Sequence, residues 1–295
     1  MDVNATLPPG ARLVDVGGTR LYVEERGPAA GLPVIVLHGG PGLDHHEFAD
    51  YLDPLADRYR LLLVDQRAQG RSDRDSDPAT WTLETMADDV SRLAAIIGLG
   101  KYVVFGHSYG AFVALQHACD APGAAAGTIV SAGVPSARFL DGIEERLAAY
   151  EPAEIRDQIT ASWEREADVR TPQDMAALMH DQWPWHFADA YDARIVEYER
   201  KAAGTLFAPD VLRVVSAASY GSIDVEDRLA EVTQPVLVLA GRHDRTCPPE
   251  AAQVIADGVR EGRCVVLERS GHMMFVEEPG LFLAAVREFL DRLAD

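Results

Sequence analysis

Short apolar runs recur along the chain, separated by longer stretches: VIVL (34–37), RLLLVD (60–65), YVVFG (102–106), TIVSAG (128–133), VLVLAG (236–241) and CVVLE (264–268). Each is four to six residues long, rich in Val, Ile and Leu, and bounded by Gly, Pro or a charged residue. Such runs predict strands buried on both faces, as in a parallel sheet. RLVDV and TRLYVEE, split by Gly17-Gly18, predict an antiparallel hairpin ahead of them. Between the runs the period changes from two to about 3.6. Leu83, Met86, Val90, Leu93 and Ile97 predict a helix over 82–98, and further helices are expected over 109–119, after Pro248-Pro249 and over 279–293. Strands alternating with helices predict a mostly parallel eight-stranded α/β sheet with helices on both faces.

The alternation stops between Val134 and Val232, a stretch of helical pattern that holds Trp163, Trp183 and Trp185. The expected organisation is a core built from residues 1–133 and 233–295, with 134–232 inserted as a helical lid.

Composition narrows the function. Asp and Glu number 47 against 27 Lys and Arg, a net charge of −20, which excludes nucleic acid as a partner because phosphates need a basic surface. The three cysteines, Cys119, Cys247 and Cys264, have no CxxC or zinc spacing, as expected of reduced thiols in the cytoplasm. No run is long enough to span a membrane, and the first residues carry no basic and apolar leader pattern. A cytoplasmic protein without a membrane partner is expected.

The chemistry begins at Gly106-His107-Ser108-Tyr109-Gly110, between a predicted strand and a predicted helix. A sharp strand-to-helix turn lifts a serine Oγ clear of the backbone, and its crowding leaves room only for glycine two positions to either side. A nucleophilic serine needs a base, and His272 occupies a loop after the last strand. Asp244, in the loop after the preceding strand, is placed to orient it better than its neighbours Asp227 or Glu268. The order Ser108, Asp244, His272 is that of α/β-hydrolases rather than of the chymotrypsin or subtilisin folds.

The run His38-Gly39-Gly40-Pro41-Gly42 follows a core strand. Its glycines let the main chain approach a substrate, which suits an oxyanion hole made by the N–H of Gly40 and that of Tyr109. A cis Gly40–Pro41 bond is compatible with this composition. His38, His45 and His46 suit no familiar metal spacing and have no acid cluster beside them, so no metal is expected. Trp163, Trp183, Trp185, Phe187 and Tyr191 offer apolar walls for a pocket or a small core for the lid. Cys247 is expected to be a buried hydrophobe.

With HGGPG (38–42), DQRAQGRSD (65–73), GHSYG (106–110), GRHD (241–244) and SGHMMFVEEP (270–279), the chain resembles the α/β-hydrolase fold and, within it, the proline iminopeptidase branch. The resemblance implies a cofactor-free serine hydrolase that removes an N-terminal residue from a short peptide, with glutamates in or near the lid holding the free amine. Glu197 and Glu199 are the lid candidates, beside Gly39, Trp163, Trp183 and Trp185 for the rest of the substrate site. Two positions depart from the branch: Ala68 replaces a glycine of the DQRGxGxS pattern, and Arg245 stands where an acid follows the triad aspartate. Three activities fit: a prolyl-aminopeptidase-like amidase, a carboxylesterase or lactonase for a hydrophobic or ring-bearing small molecule, and a non-catalytic receptor on the same fold.

Overall fold

The computed structural model describes residues 7, 8 and 10–294; the leader reading for residues 1–6 lies outside them. Among the described residues the strands are β1 (Ala11–Asp15), β2 (Arg20–Arg26), β3 (Pro33–Leu37), β4 (Arg60–Asp65), β5 (Val103–His107), β6 (Gly127–Ser131), β7 (Val236–Gly241) and β8 (Gly262–Leu267). They form one sheet in the order β1-β2-β4-β3-β5-β6-β7-β8. The β1–β2 hairpin and the β2–β4 pair are antiparallel, and every other pair is parallel. The hairpin turns at Gly17 and Gly18, whose φ angles of +88° and +82° need residues without a Cβ.

The central strands β5, β6 and β7 are buried at every position, so their continuous apolar runs follow from two covered faces rather than one. The run at 264–268 was expected to be equally buried, yet β8 is only partly covered over most of its length. It is the sheet's edge, where one side lacks a neighbouring strand.

The helices of the core are α1 (Leu83–Ile96), α2 (Tyr109–Asp120), α8 (Pro249–Gly258), α9 (Met274–Glu277) and α10 (Pro279–Ala294). Thr82 caps α1 by accepting from the N–H of Thr85. Neighbouring residues of β5 show that α2 and α10 cover opposite faces, since successive side chains of a strand point in opposite directions. Phe105 meets Phe282 of α10 edge to face, whereas a Cβ at Gly106 would meet the backbone of Gly110 and Ala111 in α2. In the DQR motif, Arg67 forks onto Asp89 of α1 through bonds of 2.8 and 2.6 Å, buried on both sides. Losing one partner of such a pair costs about 3–5 kcal/mol. Ala68, where the related pattern has glycine, adopts φ +60°.

Between β6 and β7 the chain forms α3 (Ile143–Ala148), α4 (Ala153–Arg165), α5 (Pro172–His186), α6 (Arg194–Lys201) and α7 (Pro209–Ala217). It leaves and returns side by side: Ser136 bridges Asp224, and the amides of Ala137 and Val225 bond to the carbonyls of Ile223 and Pro135. No helix among the described residues is long and apolar enough to cross a membrane.

A methyl group at Gly106 would lie 2.0 Å from the carbonyl oxygen of Gly110. Neither backbone can yield without moving strand or helix. Gly106→Ala is therefore expected to lower stability by about 3 kcal/mol or to prevent folding, as read by urea unfolding; a change within about 0.5 kcal/mol would contradict this packing.

Candidate active site

The sheet's register brings four loops to one end. Leu37 of β3 stands opposite Gly106 of β5, so Gly39 and Ser108, two residues further along each strand, emerge as neighbours. Gly241 of β7 stands opposite Leu267 of β8, and the loops beyond them carry Asp244 and His272. All four loops follow the carboxyl ends of parallel strands, where open α/β sheets collect their functional groups.

Ser108 sits in the turn between β5 and α2 with φ +52° and ψ −120°, a conformation costly for a residue with a Cβ. Three contacts impose it. The Ser108 amide bonds to the Ser131 carbonyl at 2.9 Å, Gly106 lies against Gly110, and a Cβ at Gly110 would strike the carbonyl oxygens of Leu37 and His38 at 2.4 and 2.5 Å. The two glycines are thus required by close backbone approach. The Ser108 hydroxyl forms no hydrogen bond among the described residues and opens into a cavity that His272 also lines.

His272 is buried and its Nδ1 donates to Asp244 Oδ2 at 2.8 Å. That bond leaves Nε2 free to take a proton. The other Asp244 oxygen accepts the amides of Thr246 (2.8 Å) and Cys247 (2.9 Å), so the carboxylate is held on both sides. Burial works to lower the His272 pKa, but Asp244, Glu47 and Glu277 outweigh it and the net shift is upward. Two further imidazoles flank the ring, His107 at 5.0 Å and His186 at 5.1 Å between centroids. Burial drives both well below the usual range, and the positive charge that His272 can carry adds to it.

The Gly40–Pro41 bond is cis and Gly40 has φ +114°. The Gly39 amide is taken: it donates to Glu47 Oε2 at 2.6 Å. No acceptor engages the amides of Gly40 or Tyr109 among the described residues, as expected for Tyr109 at the first position of a helix. Both residues line the cavity beside Ser108.

Glu47 was not legible in the sequence. It belongs to a single 3₁₀ turn, His45–Phe48, whose N-cap Asp44 accepts from the His46 amide. The histidine pair anchors this turn. His45 Nδ1 lies 2.6 Å from Asp65 Oδ1 and its Nε2 3.4 Å from Glu24, and these carboxylates raise His45 to about 9 against the pull of burial. His46 lies beside Asp44 and Arg71. The expectation that no acids accompany these histidines is therefore corrected: Asp44, Asp65 and Glu24 surround them as hydrogen-bond and charge partners. Phe48 packs on Phe105, His107 and Phe275. With both ends of the turn fixed, Glu47 is presented to the cavity, and burial pushes its carboxyl up to about 7.

The cavity encloses about 580 Å³ between the sheet's end and the helices after β6. Trp163, Trp183, Trp185, Leu140, Leu178 and Leu212 supply apolar wall, while Glu47, Asp141, Glu144 and Glu166 supply carboxylates; among the described residues no Lys or Arg lines it. Burial raises Glu166 despite hydrogen bonds from the hydroxyls of Tyr220 (2.9 Å) and Ser216. Other expected residues lie elsewhere. Glu197 is exposed and paired with Arg200, and Glu199 accepts from His180, because their helix turns its charged face to solvent. Phe187 is wholly in the core, and Tyr191 is exposed with its hydroxyl on Glu154. Gly39 backs the site without lining it. Trp163 and Trp185 also pack on one another, so the tryptophans are wall and local core together.

Arg245 turns away from the cavity. It donates to the carbonyls of Trp185, Phe187 and Ala188 and lies over the Tyr150 ring. The same segment receives three more ties: Trp185 Nε1 donates to Thr246 (2.8 Å), the His272 amide donates to the His186 carbonyl (2.7 Å), and Glu277 accepts from both Ala188 and Gly271 amides at 2.8 Å. Burial raises Glu277 to about 7 in spite of those amides. Residues 185–188 are thus bound to the loops that carry Asp244 and His272.

The alpha/beta hydrolase fold family matches residues 33–279. A proline iminopeptidase of Heyndrickxia coagulans is 27% identical over 290 residues, 95% of this chain and 98% of the relative. The crystal structure of proline iminopeptidase from Mycobacterium smegmatis superposes with a TM-score of 0.71 at 27% identity, covering 96% of this chain and 98% of the other. An esterase from Exiguobacterium antarcticum superposes with a TM-score of 0.72 at 24% identity over 95% and 98% of the two chains, a likeness of fold.

Arg245→Ala removes the three bonds to carbonyls 185, 187 and 188. Amide exchange in that segment is expected to accelerate by about tenfold or more, with a global loss of about 1–3 kcal/mol. Unchanged exchange there would show that Arg245 does not hold it.

Proposed function

This chain belongs to the alpha/beta hydrolase fold family as a hydrolytic enzyme, and from that premise we propose that it removes an amine-bearing acyl group from an amide or ester, as a prolyl-aminopeptidase-like serine hydrolase. The observation that carries this reading is the charge of the cavity: four carboxylates and, among the described residues, no Lys or Arg in about 580 Å³. That imbalance favours a cationic ligand, most strongly at Glu47 and Glu166, which the protein holds away from water, while Asp141 and Glu144 face solvent. The tryptophans offer flat apolar surface to a ring such as that of proline. The relatives named proline iminopeptidase support the same choice. A neutral ester would use the wall and leave the carboxylates without a cation.

Ser108 is the nucleophile, His272 the base and Asp244 its orienting acid. The Ser108 Oγ attacks the acyl carbon while His272 Nε2 takes its proton. The imidazolium formed is stabilised by Asp244 at 2.8 Å. The carbonyl oxygen becomes an oxyanion within reach of the Gly40 and Tyr109 amides, each worth about 10²–10³ in rate for such donors. Collapse breaks the bond to the leaving group, which receives the proton from His272. Water then attacks the acyl-enzyme with His272 again as base, and Ser108 recovers its proton. The group 134–232 acts as the lid over this site. The cytoplasm is the proposed setting, in keeping with Cys119, Cys247 and Cys264, all unpaired thiols.

Ser108→Ala should abolish turnover and labelling by a fluorophosphonate probe while the protein remains folded by circular dichroism; residual turnover above about 0.1% would exclude Ser108 as nucleophile. Prolyl-arylamide is expected to be cleaved in preference to short acyl-arylesters, and turnover of the esters alone would end the aminopeptidase reading.

His272 must be neutral to act, and its pKa is raised above the usual 6.5. The value of kcat/KM should therefore rise with pH as the imidazolium loses its proton, with a midpoint above 6.5. Asp244→Asn should lower kcat by about three to four orders of magnitude; a loss under about tenfold would remove Asp244 from the triad.

A further inference from the structure

The amine of an aminoacyl group is tied to the reacting carbon by two bonds, a reach of about 2.5 Å. When that carbon is bonded to Ser108 and its oxygen lies by the Gly40 and Tyr109 amides, a carboxylate that crowds Ser108 itself is the one best placed to meet the amine. Glu47 does so. A methyl group at Gly39 would lie 2.7 Å from Glu47 Oε1 and 3.0 Å from Ser108 Cβ, so carboxylate and nucleophile converge on one point, kept open by the absence of a side chain.

The remaining partners of Glu47 are few. Its Oε2 takes the Gly39 amide, while Oε1 has no hydrogen bond among the described residues although the side chain is 96% buried and lines the cavity. Other buried acids of the core are matched by more. Asp89 has Arg67, Asp65 has His45, Asp244 has His272 and two amides, and Glu277 has two amides. Glu166, in the lid, already accepts two hydroxyls. A buried carboxylate with one amide and no cation bonded to it is destabilising as it stands. An arriving ammonium would complete it.

We propose that Glu47, from the core turn after the oxyanion loop rather than from the lid, is the specificity residue that receives the α-ammonium of the acyl group bonded to Ser108. This rests on the amine-bearing substrate proposed above. It also assigns a purpose to the Asp44-His45-His46-Glu47 turn: the histidines lock the turn so that Glu47 stays beside the nucleophile. Gly39 is then constrained twice, as the donor that orients Oε2 and as the gap through which Oε1 reaches the acyl group.

The test compares prolyl-arylamide with its cyclopentanecarbonyl isostere, which differs by CH₂ for NH, in wild type and in Glu47→Gln. Glutamine keeps an oxygen for the Gly39 amide and removes the charge. Wild type should prefer the prolyl substrate, and Glu47→Gln should cut the ratio of the two kcat/KM values by about 100-fold. Glu144→Gln and Glu166→Gln, which weaken the cavity's charge without meeting the amine, should each lower it by less than about tenfold, and Glu197→Gln, exposed and outside the cavity, by less than about twofold. Fluorophosphonate labelling of Ser108 confirms that each variant has assembled its site. A ratio unmoved by Glu47→Gln, or collapsed by a lid variant instead, overturns the assignment while the aminopeptidase reading stands. A wild-type ratio near one defeats that reading itself.

Should Glu47→Gln fail to fold, wild type alone decides. L-Prolinamide should protect Ser108 from labelling better than cyclopentanecarboxamide at pH 8. Because Glu47 gains its proton as pH falls through about 7, that advantage should shrink about tenfold by pH 5.5. An advantage constant over this range overturns the assignment.

Discussion

The closeness of three backbones at the end of β5 governs this molecule. Gly106 lies on Gly110, Gly110 lies on the carbonyls of Leu37 and His38, and Ser108 is held between them at φ +52°. No side chain can be inserted at either glycine, so β3, β5 and α2 lock together as one unit. From that lock follow the exposure of the serine hydroxyl, the free amide of Tyr109 at the start of α2, and the position of the Gly39-Gly40 loop beside them. The strain at Ser108 persists because neighbours on three sides exclude the relaxed alternative.

The loops after β7 and β8 have a second duty. Asp244 and His272 are presented by short loops after β7 and β8, and those same loops carry the ties to residues 185–188. Opening the helical segment would therefore disturb the groups to which the proposed function assigns the chemistry. Glu277 shares in this, since one carboxylate bonds both the Gly271 amide beside His272 and the Ala188 amide of the inserted segment packed against it. Arg245, a charge reversal when seen only as a letter after Asp244, serves in the same clamp rather than in the substrate site.

Much of this was legible in the sequence, and for identifiable reasons. Buried strands announce themselves by unbroken Val, Ile and Leu, and the two glycines of GHSYG are forced by backbone crowding. Asp244 and His272 follow from loop order. The edge position of β8 was not legible, because an apolar run does not reveal how many neighbours the strand has. The cavity's acids were harder still. Glu47 and Glu166 resemble any solvated glutamate until the tertiary structure covers them, and Glu197 and Glu199 were plausible only because helical periodicity was too short to show which face turned inward. His45 of HGGPGLDHHEF was equally opaque: its partners Asp65 and Glu24 lie on other strands.

The central claim is that Ser108 carries an amine-bearing acyl group during turnover. Intact-protein mass spectrometry on enzyme quenched in acid during hydrolysis of a prolyl ester tests it most directly. The account predicts a covalent prolyl adduct that maps to the peptide containing Ser108 and is absent in Ser108→Ala. Steady turnover with the adduct on another residue, or surviving in Ser108→Ala, would contradict it.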